Sequence, residues 1–223
     1  MNNELKFLSH NETKEMLEKY SITIPKWKVT KNEEDSVNAA KEIGYPVVMK
    51  IISEDIVHKT EAGGVIMSLS NEEEVRIAFV NMMKGIKNYN PNARIEGVCI
   101  EKMINEGVEV IVGIKQDITF GATIIFGLGG IFVELLNDVS TRVLPIKEVD
   151  IRDMINEVKG SRILEGFRSR NKSDIKELIN IIKKVSEIAL NEQKIIEMDL
   201  NPIIVHEEGK GATVVDARIL RKE

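Results

Sequence analysis

Two strand-forming runs, Val47 to Ile52 and Val65 to Leu69, enclose a short loop containing His58, Lys59, Thr60, Glu61, Ala62, Gly63 and Gly64. β-rich runs on either side of a glycine-containing loop predict a hairpin, which commits this part of the chain to a sheet. The loop's contents bear on chemistry. A glycine pair lets backbone N–H groups approach phosphate oxygens, and Lys59 adds fixed positive charge. The imidazole of His58 can accept a phosphoryl group as a covalent intermediate. The same residues also describe a plain hairpin loop that needs glycine and carries solvated charges.

Around the hairpin the pattern alternates irregularly between helix and strand. Ser9 and Glu12 have capping-box spacing and predict a helix over about 11–20. Pro25 to Thr30 reads as a short strand. Glu33 to Ile43 reads as a helix stopped by Gly44, and Asn71 can cap another that runs to about Lys87. The turn residues Tyr89, Asn90, Pro91 and Asn92 mark an expected subdomain boundary. Further strands are expected at Ile95–Met103, Glu109–Gln116, Ala122–Phe126 and Thr141–Pro145, with helices at Glu148–Lys159 and Ser173–Leu190. In the last helix Ile175, Leu178, Ile179, Ile182, Val185 and Ala189 form one buried face. Strands at Ile195–Leu200 and Gly211–Arg218 flank Pro202 to Lys210. The fold class is α+β in two lobes: residues 1–20 as a helix packing on the larger subdomain, 21–91 as the smaller subdomain, and 92–223 as the larger. Strand–helix alternation is too irregular for one parallel sheet, and no G-x-G-x-x-G follows a strand, which argues against a Rossmann fold.

A net charge of −5 gives no global basic field for nucleic acid or an anionic membrane, so neither is an expected partner. The single cysteine, Cys99, rules out an internal disulfide and reads as a small buried residue. The polar, mixed first ten residues do not resemble a signal peptide, and no apolar run approaches the roughly 20 residues of a membrane span; the expected location is the cytoplasm. His10 and His206 read as surface or capping residues.

Several polar residues sit where strands are expected. Lys50 ends an apolar strand, where it can reach a phosphate as a point charge or snorkel to solvent. Glu101 and Glu109 flank a chain reversal and can serve an adenine edge and ribose hydroxyls, or can be ordinary hairpin acids. Asp199 and Asn201 project from one side of an extended strand, and Asp216 lies on the next. If those strands pair, Asn201 and Asp216 meet, offering the few oxygen ligands that Mg²⁺ takes; alternatively Asp216 pairs with Arg218 or caps a turn. The Phe126–Ile131 glycine turn, followed by Glu134 and Asp138, has either a purely conformational cause or brings the backbone close to a ligand.

Taken in order, Lys50, the Gly63-Gly64 loop, Glu101, Glu109, Asn201 and Asp216 resemble the ATP-grasp superfamily. Within it the chain is most similar to the β subunit of ADP-forming acetyl-CoA (acyl-CoA) synthetases, relatives of the succinyl-CoA synthetase β chain. Gly44 to Lys50, His58-Lys59-Thr60, Phe120-Gly121, Phe126 to Gly130 with Glu134, and Asp199 to Pro202 carry that likeness over roughly Leu8 to Leu220. Gly166-Phe167-Arg168-Ser169 departs from the family's Gly-x-Arg-Gly at Ser169. The resemblance implies two α+β subdomains clasping ATP or ADP. Lys50, Lys59, Thr60, Gly63 and Gly64 would serve the phosphates. Glu101, Met103 and Ile104 would frame adenine, the last two through backbone groups, and Glu109 would hold ribose. Asn201, Asp216 and Asp199 would hold Mg²⁺. It also implies phosphohistidine chemistry at His58 and a partner α subunit carrying the CoA-binding and ligase domains, in an assembly of two α and two β chains (α2β2). The alternatives are another ATP-grasp carboxylate ligase, which needs no phosphohistidine, or a non-catalytic nucleotide-sensing module.

Overall fold

The computed structural model describes residues 5–56, 58–130, 138–166 and 171–223. In chain order its elements are β1 (Leu5–Phe7), α1 (His10–Lys19), β2 (Trp27–Thr30), α2 (Glu33–Ile43), β3 (Val47–Ile52), β4 (Val65–Leu69) and α3 (Glu72–Tyr89). They continue with β5 (Gly97–Lys102), β6 (Val108–Asp117), β7 (Gly121–Leu128), β8 (Val139–Val143), α4 (Glu148–Glu157), α5 (Ile175–Asn191), β9 (Ile195–Val205), β10 (Ala212–Val214) and β11 (Ala217–Lys222). A short 3-10 turn spans Ser161–Ile163. The chain divides into two compact units: Pro25–Ile104, and the residues up to Ile24 together with Asn105–Glu223. No helix of the described residues is long and apolar enough to cross a membrane.

The smaller unit is a four-stranded antiparallel sheet in the order β2-β5-β3-β4. Helix α2 starts where the Asn32 side chain accepts the Asp35 N–H and stops at Gly44, whose φ of 88° suits a residue without Cβ. Helix α3 starts the same way, with Asn71 accepting the Glu74 N–H and three glutamates in its first turn favoured by the helix dipole. Strand alternation turns Val47, Met49 and Ile51 of β3, and Val98 and Ile100 of β5, into one core with Val37 and Ala40 of α2 and Val75, Met82 and Ile86 of α3.

The boundary expected at Tyr89 to Asn92 falls instead between Ile104 and Asn105. The reason lies in the ladder: β5 is a central strand of the smaller sheet, paired with β2 on one side and β3 on the other. The Tyr89–Asn92 turn only joins α3 to β5.

Among the described residues, seven strands build the sheet of the larger unit, in the order β1-β11-β9-β6-β7-β8, with β10 also on β9. Ser9 and Glu12 form the capping box at the start of α1. One face of α5, including Leu178, Ile182 and Val185, is buried with Val110, Val112, Ile124, Phe126, Met198 and Leu200. Strand β9 does not stop at Pro202 but runs on to Val205. Proline is tolerated there because the β6–β9 register shifts between Val110 and Val112, and its carbonyl still accepts the Val215 N–H at 2.9 Å. The expected strand from Gly211 to Arg218 is broken into β10 and β11 around Val215 and Asp216.

Replacing Ile182 by alanine, in the fully buried face of α5, is expected to cost about 2–5 kcal/mol in urea unfolding. Replacing Ile77, which is 53% exposed, should stay within about 0.5 kcal/mol of wild type.

Candidate functional site

In the smaller unit the helices cover one face of the sheet. Lys50 projects from the other, because it alternates with the core residues Met49 and Ile51. Cys99 lies directly across from Lys50, and Val48 lies across from Glu101. Lys50 Nζ is 2.8 Å from Glu101 Oε2, with only 11% and 2% of the two side chains exposed. The anion met by this lysine is thus Glu101, and the alternative of snorkelling to solvent fails. Cys99 is buried as its sequence context predicts, and its Sγ donates to Glu101 Oε1 at 3.5 Å. The carboxylate therefore has both oxygens engaged, an arrangement that can release Lys50 to an incoming phosphate only by giving up a buried pair.

The loop after β3 is closed by its own backbone. Ala62 N–H donates to the His58 carbonyl at 3.1 Å, Gly63 to Thr60 at 3.1 Å and Gly64 to Lys59 at 2.6 Å. Of the two alternatives for the glycine pair, this conformation matches the loop that needs glycine for its shape, with both N–H groups spent inside the turn. Gly63 sits at a φ of 71°, and a Cβ on Gly64 would lie 2.5 Å from Ile51 Cγ2 and 3.0 Å from the Lys59 carbonyl. What the loop presents outward is side chains. His58 is 68% exposed, its Nδ1 lies 4.0 Å from Glu61 Oε1, and Thr60 is exposed beside it.

Beyond Glu101, the Lys102 ammonium donates to the carbonyls of Gly44 and Tyr45 at 3.0 and 2.8 Å, so it holds the end of α2. The Met103 N–H donates to the Pro46 carbonyl at 3.2 Å. Its sulfur accepts from the Ser68 hydroxyl at 3.6 Å. Ile104 is the next donor along the chain.

In the larger unit the face opposite α4 and α5 collects the acids. Glu109, Ile111 and Gly113 alternate on one side of β6, and Asp199 lies across from Gly113. Asn201 N–H donates to the Asp216 carbonyl at 3.1 Å, so β9 and β11 bring Asp199, Asn201 and Asp216 to one place. Burial first, and then the charge of Asp216, push the Asp199 carboxyl above its ordinary range; Arg218 pulls it down and Glu197 adds to the rise. Oxygen donors with an excess of negative charge suit a hard divalent cation. Arg218 lies across from Asp199 and over the Phe7 ring, 5.1 Å from its centroid, and Asp216 Oδ1 accepts the Ala217 N–H at 3.1 Å. Of the two alternatives for Asp216, local capping is present alongside its place in the acidic group.

Glu109 stands further along the same face, across from Ile204, with its backbone packed against Gly129. The Gly129 N–H donates to the Glu109 carbonyl at 2.8 Å, and a Cβ on Gly129 would fall 2.8 Å from Glu109 Cβ. That close approach explains the glycine turn after β7. Glu101 and Glu109, paired in the sequence reading by one chain reversal, belong to different units. Glu134 and Ile131 lie outside the described residues, as do Phe167, Arg168 and Ser169 of the family-like glycine–arginine segment. The sequence reading gives His206 as a surface or capping residue and does not find its partners. The histidine is partly buried, with Nδ1 2.7 Å from the Glu106 carbonyl and Nε2 2.9 Å from Thr213 Oγ1. No spacing rule marks it, because its partners come from two other segments.

A family model described as an ATP-grasp domain matches residues 1–220. The β subunit of acetate–CoA ligase (ADP-forming) I from Pyrococcus furiosus is 49% identical over 94% of this chain and 89% of its own. The 4-hydroxybutyrate–CoA ligase (ADP-forming) of Nitrosopumilus maritimus is 43% identical over 95% of this chain, which spans only 30% of that longer protein. Among solved structures, dinucleotide-forming acetyl-coenzyme A synthetase 1 of Ca. Korarchaeum cryptofilum, in complex with coenzyme A, Ca-AMPCP and HgCl+, superposes with a TM-score of 0.93. It is 44% identical, over 97% of this chain and 93% of that one.

Two measurements follow from these arrangements. Lys50→Met leaves Glu101 buried without its cation and should cost about 3–5 kcal/mol in denaturant unfolding, much of it recovered in Lys50→Met/Glu101→Leu. The second concerns pH. An acid with a raised folded value binds its proton more tightly when folded. Its contribution to stability therefore falls as pH rises from the ordinary carboxylate value through the raised one. Asp199→Asn removes that fall, so the variant should gain stability relative to wild type from about pH 4 upward, read from urea midpoints at several pH values.

Proposed function

The chain belongs to the ATP-grasp family, alongside the β subunits of ADP-forming acetate–CoA ligases, and on that premise we propose how its residues carry the reaction. It is the nucleotide-binding subunit of an enzyme that interconverts acyl-CoA, ADP and phosphate with acid, CoA and ATP. The observation that carries the reading to particular residues is His58, held out to solvent on a turn whose backbone is closed on itself.

Such a histidine can act as a relay. A phosphoryl group carried on a histidine of the partner passes to one ring nitrogen: that nitrogen attacks phosphorus, and the donor's P–N bond breaks as the new P–N bond forms, releasing the partner's imidazole. An oxygen of the ADP β-phosphate then attacks phosphorus, and the P–N bond breaks as the new P–O bond forms. The imidazole leaves as a neutral ring only if its other nitrogen holds a proton. Glu61 Oε1 lies 4.0 Å from His58 Nδ1, beyond hydrogen-bond reach in this conformation. Lys59 and Thr60 carry the phosphate contacts of the loop through their side chains, while Gly63 and Gly64 set its shape.

Lys50 supplies a point charge to the nucleotide phosphates, exchanging Glu101 for them. Glu101, Met103 and Ile104 line the base, and Glu109 accepts from the ribose hydroxyls. Asp199, Asn201 and Asp216 would hold Mg²⁺, which when bound neutralises charge on the phosphates. The raised Asp199 carboxyl fits that assignment, since a cation relieves the repulsion from Asp216. The Ca-AMPCP in the Korarchaeum complex supports a divalent cation beside the nucleotide.

The single-chain relative, of which this chain spans 30%, supports a partner carrying the remaining chemistry. We take that partner to be an α subunit with the CoA-binding and ligase domains, assembled as two α and two β chains in the cytoplasm.

The test is to co-express the chain with that α subunit and incubate the complex with Mg²⁺ and γ-labelled ATP. Acid-labile, base-stable phosphate is expected on this chain and should vanish in His58→Ala, while Mg·ADP binding stays within about threefold of wild type. Loss of binding to the same degree as labelling would remove the relay. Binding without label on either subunit would favour a carboxylate ligase or a sensor.

A further inference from the structure

The stretch from Glu101 to Glu109 carries the proposed base and ribose contacts, and it is pinned at both ends. On the smaller unit, Lys102 N–H donates to the Lys26 carbonyl at 2.8 Å and Met103 N–H to Pro46 at 3.2 Å. On the larger unit the pin is His206. A carbonyl oxygen can only accept, so Nδ1 carries the proton that meets Glu106 at 2.7 Å; Nε2 shares a hydrogen bond with the Thr213 hydroxyl at 2.9 Å. Gly107 follows, pressed so closely on β9 that a Cβ would fall 2.4 Å from Ile204 Cγ2 and 2.6 Å from the Val205 carbonyl. Only Ile104 and Asn105 stand between the two pins.

We propose that His206 is a positioning residue for nucleotide binding: its ring holds the Glu106 carbonyl and so sets the backbone leading into Glu109. The inference rests on the nucleotide reading of that stretch. The physical argument is preorganisation. A segment held before the ligand arrives loses less conformational freedom on binding, so the tie contributes to affinity rather than to turnover. The tie is not needed for the surrounding fold. The β9–β10 ladder pairs Val205 with Ala212 and Ile204 with Thr213, and the His206 carbonyl accepts the Asp174 N–H, all without the ring.

The test titrates Mg·ADP into the α–β complex by calorimetry and measures turnover at saturating ADP. His206→Phe keeps a ring and removes both nitrogens; its Kd and KM for ADP should rise about five- to tenfold with kcat unchanged. His206→Asn places an amide N–H near the Nδ1 position and should return to within about twofold of wild type. Thr213→Val leaves the ring but removes the group that orients it, and should raise Kd by about threefold, which keeps the test open if the Phe variant does not fold. Wild-type affinity in both the Phe and Val variants would overturn the proposal. So would a fall in kcat that Asn fails to rescue, since that pattern belongs to a merely structural residue. A wild-type complex that does not bind Mg·ADP would instead remove the nucleotide reading itself.

Discussion

Strand β9 is the constraint from which the larger unit follows. It pairs with β6 along one edge and with β10 and β11 along the other, so most of the sheet is measured from it. Its inner side, with Met198, Leu200 and Ile203, belongs to the core under α5. Its outer side has Asp199 and, within the register shift, Asn201. Period-two alternation makes these two outcomes inseparable: a one-residue slip would bury the acids and expose the core. The oxygen-rich group exists because the hydrophobic face is satisfied on the other side.

The smaller unit solves a related problem with charge. A lysine and a glutamate on adjacent central strands would each be expensive to bury alone, and the pair is tolerated because each is the other's counter-ion and Cys99 engages the remaining carboxylate oxygen. This is a poor way to gain stability and a good way to keep a cation oriented in a dry place. A phosphate can then compete for a lysine whose position is already set.

Helix caps, the hairpin and the apolar stripe of α5 were all legible in the sequence, because each is local: a cap side chain reaches three residues, and a stripe repeats every turn. The acidic group was legible too, conditional on two strands pairing, and they do. What escaped was whatever depends on partners far along the chain. The place of β5 between β2 and β3 cannot be read from a turn at Asn90 and Pro91. The continuation of β9 through Pro202 needed the register shift against β6 to make room for it. The choice between the two readings of Gly63 and Gly64 was not legible, because glycine marks a permitted geometry without saying which way the N–H groups turn. The contacts of His206 were invisible for the plainest reason: its ring meets Glu106 and Thr213, one of them a hundred residues earlier.

The pairing of β1 with β11, Leu5 against Lys222 and Phe7 against Leu220, has a consequence for how the polypeptide is made. The smaller unit is an insertion whose strands and helices all come from Pro25–Ile104, so its whole sheet and both its helices have left the ribosome well before the rest of the chain is translated. The larger unit begins earlier in the sequence yet cannot complete its sheet until β9 and then β11 emerge. During synthesis β1 and α1 therefore wait for β11 while the inserted unit folds behind them. The order of assembly runs against the order of the chain, with the inserted unit finished before the unit that holds it.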